Sequence, residues 1–127
     1  MRLLLDTHLL LWFLEDPDVL LTKHELAVVR DPRNDVFVSV VALWELATKE
    51  ATGKLRLRSP VRPQLAPNDI TELPVRGAHV DRYRDLPFHH RDPFDRMIVA
   101  QAIEERLVLM TRDATLRRYP VEVFGGD

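Results

Sequence analysis

Arg2-Leu3-Leu4-Leu5-Asp6-Thr7-His8-Leu9-Leu10-Leu11-Trp12-Phe13-Leu14 opens the chain, and the way it changes period decides the fold. Arg2 to Leu5 reads as a short buried strand, and Thr7 to Leu14 as a helix apolar nearly all round, stopped by Asp16-Pro17. An acid, Asp6, sits at the joint. The same rhythm recurs. Val36 to Val40 reads as a strand leading toward Glu45, which lies in a helix predicted over Ala42 to Thr52. Leu43, Leu46 and Ala47 form one stripe of that helix and Gly53 its stop, so Glu45 is expected to face out from the first turn. Asp92 as N-cap, Pro93 at the first helical position and Asp95 at the third launch a helix through Arg106. Leu107 to Thr111 is a buried strand leading into Asp113. Strands alternating with helices in this way predict an α/β fold with a mainly parallel central sheet covered on both faces.

The remaining stretches fit that plan. Thr22 and Glu25 make a capping box for a helix ending near Arg30, before Asp31-Pro32. Ser59 to Pro67 is Pro-rich and reads as a loop, with a short helix around Gln64-Leu65-Ala66 left open. Ile70 to Val75 is a weak strand, placed at an edge or truncated because of Pro74, and Ala78 to Asp85 is a helix. Leu86 to Arg91 is a loop. Ala114 to Tyr119 gives a last helical turn or two, and Val121 to Phe124 a final strand before Gly125-Gly126.

A length of 127 residues suits one domain, taken as 1–127. The chain has no cysteine, which excludes disulfides and thiolate chemistry and leaves carboxylate and imidazole as metal ligands. The N-terminal apolar run breaks at Asp6, so neither a signal peptide nor a membrane span is expected and the cytoplasm is the default location. A net charge of −2 argues against grip on nucleic acid through overall positive potential. Nevertheless, Arg91, Arg96 and Arg112 flank the acids and are candidates to meet phosphate.

Each acid alone has a bland explanation as a cap or strand end. Together Asp6, Glu45, Asp95 and Asp113 are placed to share the carboxyl rim of one sheet, where ligands of such folds bind. Like charges about 4 Å apart cost roughly 4 kcal/mol per pair at an effective dielectric near 20, so a converging quartet calls for a divalent cation or shifted pKa values. Carboxylate oxygens suit Mg²⁺ or Mn²⁺, and such ions serve phosphodiester chemistry. Thr7, Ser39 and Thr111 stand beside the acids as candidates to orient them, and Asp92 as the cap that positions Asp95. Asp6, Glu45 and Asp95 rank as inner ligands and Asp113 as more peripheral. His89-His90 near Asp92 suggests a His/Asp site or a general base, but adjacent residues point to different sides and no second His recurs at helical spacing. Trp12 and Trp44 are read as core or interface residues.

Leu4-Leu5-Asp6-Thr7-His8 with Leu11-Trp12, Ser39 to Glu45, Leu86 to Arg96 followed by Ile98-Val99-Ala100-Gln101-Ala102, and Thr111-Arg112-Asp113 together resemble the PIN-domain ribonucleases, and among them the VapC-type toxins of toxin–antitoxin pairs. The resemblance implies a three-layer α/β/α sandwich in which Asp6, Glu45, Asp95 and Asp113 hold one or two Mg²⁺ or Mn²⁺ ions. It implies endonucleolytic RNA cleavage through metal-activated water, a homodimer, and an antitoxin whose C-terminal segment blocks the site. The Pro-rich stretch lies where relatives usually run a helix. RNA maturation is the alternative role within the family.

Two other classes compete. A receiver domain or a haloacid-dehalogenase-type phosphatase would form an aspartyl-phosphate with Mg²⁺. The phosphatase wants a second aspartate where this chain has His8, and the receiver a late strand-end lysine, whereas lysine occurs only at positions 23, 49 and 54. A non-catalytic binding module is opposed by the intact acids.

Overall fold

Three consecutive leucines, Leu3, Leu4 and Leu5, each have no exposed surface, although successive strand residues point to opposite faces. A strand buried on both sides must lie inside a sheet covered by helices above and below, which gives the three layers expected from sequence. In the computed structural model, which describes residues 1–125, that strand is β1 (Arg2–Leu5) at the centre of a five-stranded sheet. Gly126, named above as part of the sequence's closing Gly-Gly, lies outside the described residues. β2 is Asp35–Ser39, β3 Ile70–Leu73, β4 Val108–Met110 and β5 Val123–Phe124, in the spatial order β3-β2-β1-β4-β5. Every pairing is parallel, with Leu4 opposite Phe37 on one side and Leu109 on the other. All strand carboxyl ends therefore share one rim.

The helices are α1 (Thr7–Glu15), α2 (Pro17–Leu20), α3 (Lys23–Arg30), α4 (Val40–Ala51), α5 (Gly77–Asp85) and α6 (Pro93–Glu105). Asp16-Pro17 ends α1 as expected, yet Pro17 also starts the short α2, because proline is tolerated at a first helical position where its missing N–H has no partner to lose. The capping box of α3 is complete, with Thr22 Oγ1 accepting from the Glu25 amide and Glu25 accepting from the Thr22 amide. α4 begins two residues earlier than predicted, since Ser39 ends β2 and caps the helix by accepting from the Val41 amide at 2.9 Å. That shift puts Glu45 in the second turn, and the buried stripe is Val41, Ala42, Glu45 and Leu46 instead of the expected Leu43, Leu46 and Ala47, so Glu45 faces inward, 5% exposed. The Pro-rich loop holds two 3₁₀ turns, Arg62–Gln64 and Ala66–Asn68, instead of irregular chain. β3 is the edge strand that Pro74 demanded. The predicted last helical turn is a 3₁₀ turn, Leu116–Arg118.

Among the described residues no helix is long and apolar enough to cross a membrane. The core joins Leu9, Leu10 and Phe13 of α1, Val41, Ala42 and Leu46 of α4, and Ile98, Val99 and Ala102 of α6 to the strands. Gly125 closes the far end of β5 in a left-handed conformation, φ 133°, and a Cβ there would sit 2.6 Å from the Thr111 carbonyl oxygen. Gly125→Ala is therefore expected to destabilise the fold by roughly 1–3 kcal/mol, through strained backbone and a displaced Thr111, measurable by urea denaturation.

Candidate active site at the carboxyl rim

Asp6 follows β1 directly and caps α1, its Oδ1 accepting from the Leu9 amide at 2.8 Å while Oδ2 accepts from the Thr111 hydroxyl. Both oxygens of this 4%-exposed carboxylate are thus held by donors from two elements. Thr111 in turn is fully buried just after β4, and its Oγ1 also accepts from the Asp113 amide at 3.1 Å. One threonine therefore ties the first acid to the loop that carries the last.

Glu45 reaches the rim from α4. Its Oε1 accepts from Thr7 Oγ1 at 2.7 Å, and its Oε2 pairs with Lys49 Nζ at 3.1 Å one turn on. Asp95 stands in the first turn of α6, which Asp92 caps by accepting from the Phe94 amide at 2.8 Å. Asp113 accepts from the Thr115 amide at 2.9 Å and from His90 Nε2 at 3.1 Å. Ser39, expected as an orienting group, spends its hydroxyl on the cap of α4.

Electrostatics show that the acids share a field. Burial, followed by the charges of Asp92, Glu45 and Asp6, pushes the Asp95 carboxyl up to about 7, with His90 opposing the rise. Burial also raises Asp6, with Asp113 among the contributing charges, while the bonds from Thr111 and Leu9 pull it down. Each of the four carboxylates therefore perturbs or is perturbed by another of the set. Packing that raises an acid's pKa by several units without a cation is a feature of functional sites.

His90, raised from sequence as part of a possible His/Asp site but not placed among the site residues, does stand beside two of the acids. Its Nε2 lies 3.1 Å from Asp113 Oδ2 and 3.5 Å from Asp95 Oδ2. Among the described residues, His90, Asp95 and Asp113 form a group whose ligand atoms all lie within 4.8 Å of one another. Asp113, ranked from sequence as the more peripheral ligand, has the more open side chain, yet in space it is the close neighbour of Asp95. His89 does point elsewhere, its ring set edge-on to Tyr119 at 5.0 Å. The signal available in sequence was the interval His90-Arg91-Asp92, which returns a backbone amide to the imidazole.

The flanking arginines have other duties. Arg96 is 5% exposed, 4.6 Å over the Phe88 ring and 5.0 Å over Tyr83, with Nη1 donating to the Pro87 carbonyl and the Tyr119 hydroxyl. A guanidinium so enclosed is not placed to meet a phosphate, which corrects that expectation. Arg112 donates to the buried Glu25 carboxylate and the Leu20 carbonyl and lies 4.7 Å over Trp12. Arg91 remains exposed. Trp44, expected to be core or interface, is 64% exposed and meets Phe94 edge-on at 4.8 Å.

The four acids suit a hard divalent cation: Asp95 and Asp113 share one cluster, the charges of Glu45 and Asp6 reach Asp95, and Lys49 is paired with Glu45 alone. A parallel sheet with carboxylates at its carboxyl rim defines an acid-centred α/β domain, with the acids where ligands of such folds bind. The chain belongs to the PIN domain family, whose model matches residues 3–122, and PIN domains are nucleases.

Solved structures agree on the fold. The chain is similar to VapBC2 from Rickettsia felis bound to a DNA fragment from its promoter, with a TM-score of 0.75, 17% identity and 100% of each chain covered. It is similar to FitAcB from Neisseria gonorrhoeae, with a TM-score of 0.63, 21% identity and 96% of each chain covered. A toxin–antitoxin complex from Klebsiella pneumoniae gives 0.62 at 20% identity, covering 95% of this chain and 94% of that one. No curated protein matches the sequence.

The raised Asp95 acid makes stability depend on pH. Its folded pKa, about 7, exceeds the ordinary 3.8, so its contribution to stability is fully present below 3.8 and is lost as pH rises through 7. In EDTA, Asp95→Asn is expected to be more stable than the parent chain above pH 7, with the difference shrinking as pH falls toward 4, as read by urea unfolding at each pH.

Proposed function

We propose that the protein is a Mg²⁺- or Mn²⁺-dependent endoribonuclease and the toxin of a toxin–antitoxin pair. The observation that carries the reading is the electrostatic coupling of Asp95 to Glu45 and Asp6 at one rim, together with the proximity of Asp113 to Asp95 through His90. Asp6, Glu45, Asp95 and Asp113 would hold the ion or ions. Bound there, a divalent cation supplies water activation and neutralises charge developing on the phosphate. Thr7 and Thr111 orient Glu45 and Asp6 by hydrogen bonding, so two carboxylates are preset before any ion arrives. Asp92 fixes the first turn of α6 and with it Asp95.

The aspartyl-phosphate alternative finds less support. Its nucleophile would be Asp6, whose two oxygens are both engaged by donors. A protein-binding role alongside the nuclease is favoured by apolar surface near the rim: Phe88 is 74% exposed and Trp44 stands out from α4. The likeness to a toxin–antitoxin complex from Klebsiella pneumoniae supports an antitoxin partner, and a homodimer belongs to the same proposal. The cytoplasm is the compartment where its RNA would be met.

Purified protein is expected to cleave a mixed cellular RNA pool with Mg²⁺ or Mn²⁺ and to stop in EDTA. Asp95→Ala, checked for folding by circular dichroism, is expected to lose cleavage. Cleavage in EDTA, or none with either ion, contradicts the nuclease. Thr7→Val leaves Glu45 Oε1 without its donor and is expected to weaken Mn²⁺ binding about 10–100-fold, measured by calorimetry. Co-purification with the product of an adjacent short reading frame, and relief of growth arrest by it, tests the toxin role against RNA maturation.

A further inference from the structure

The cluster of His90 with Asp95 and Asp113 has the spacing of a metal site, but its hydrogen bonds have the wrong polarity for an imidazole ligand. The Asp92 backbone amide donates to His90 Nδ1 at 3.0 Å. A backbone N–H can only donate, so Nδ1 presents its lone pair and the hydrogen of the neutral ring sits on Nε2. That Nε2–H faces Asp113 Oδ2 at 3.1 Å and Asp95 Oδ2 at 3.5 Å. Coordination through Nε2 would need the opposite tautomer, which sets an Nδ1–H against the Asp92 N–H and leaves both without acceptors. Histidines that bind metals donate their second nitrogen outward to a carbonyl or carboxylate, the reverse of what is found here.

The backbone that carries the ring is held in place. The His90 amide donates to the Tyr119 hydroxyl at 2.9 Å, and Tyr119 is 3% exposed and also takes a hydrogen bond from buried Arg96 at 3.1 Å. Arg96 and Asp92 belong to α6 and its cap, so the helix that carries Asp95 also sets the histidine that contacts it.

Building on the nuclease reading, we propose that His90 is a positioning residue and not a metal ligand: its Nε2–H, fixed by the Asp92 amide, spans Asp95 and Asp113 and holds these two carboxylates in place for a cation bound by oxygen alone. The ligand set is then all carboxylate and water, which suits Mg²⁺ and Mn²⁺ rather than the metals that prefer imidazole. Each carboxylate has further lone pairs for the ion, so the donor and the cation are compatible.

The tautomer is read directly by ¹⁵N NMR of histidine-labelled protein, with His90 assigned by the spectrum of His90→Ala. Nε2 is expected to carry the proton and Nδ1 the lone pair, both in EDTA and after Mg²⁺ is added. A proton on Nδ1, or loss of the Nε2 proton when Mg²⁺ binds, overturns the proposal. Calorimetry with Mn²⁺ gives a second readout. His90→Ala is expected to weaken binding roughly tenfold, and His90→Gln, whose amide can donate from a similar position, to recover most of that loss. An alanine variant that binds as the parent does, or a glutamine variant no better than alanine, counts against positioning. A parent chain that binds neither ion overturns the nuclease reading itself, and this is distinguishable because the tautomer is measured without any ion.

Discussion

Mutual repulsion among carboxylates that a parallel sheet forces onto one rim is the constraint around which the rest of this molecule is arranged. Because every strand runs the same way, chain segments leaving β1, β2 and β4 emerge at a single edge, and the acids they carry cannot avoid one another. Water screens such charges poorly once they are enclosed, and Asp95 records burial first, then the charges of Asp92, Glu45 and Asp6, in a carboxyl displaced to about 7. The surrounding donors are answers to that cost. Thr7, Thr111, Lys49 and His90 each put a hydrogen on a carboxylate oxygen, and none comes from the same element as the acid's own cap except Lys49 on the helix of Glu45. What is left over is a demand for positive charge that the protein's own groups meet only in part.

Much of this was legible from residues alone where local chemistry and position agree. Leu3-Leu4-Leu5 before Asp6, and Asp92-Pro93 before Asp95, state a buried strand and a helix start in terms no other conformation satisfies as well, and the structure has both. Glu45 was harder. Ser39 both ends a strand and caps the helix, which moves the boundary by two residues, and the face packed on the core runs through Val41, Ala42 and Leu46, so an acid that the Leu43-Leu46-Ala47 stripe turned outward is buried. Arg96 and His90 were harder still, since their settings depend on Tyr119, 23 residues from one and 29 from the other. No periodicity reports a contact of that kind.

The assembly around Tyr119 explains how a loop can be as exact as a helix. The segment from Leu86 to Arg91 has no regular structure, yet the amides of His89 and His90 both donate to the Tyr119 hydroxyl, and Arg96 fixes the Pro87 carbonyl from below. Arg96 stacked against Phe88 and Tyr83 closes the loop onto α5 and α6. The arginine that follows Asp95 by one residue is thus part of the frame that sets His90, and its charge is turned inward to dipoles and ring faces, away from the solvent a nucleic acid would approach through.

The bond from Thr111 to Asp6 joins residues 105 positions apart. Sheet pairing at such separation is slow to form and comes after local structure. During synthesis, a chain from which residue 111 has not yet emerged lacks the donor for Asp6 and lacks Asp113, so the rim is assembled only after nearly all of the described residues have been made. Order of emergence from the ribosome thus acts as a timer: whatever chemistry the rim performs is withheld from the nascent chain until the segment that carries Thr111 and Asp113 has emerged.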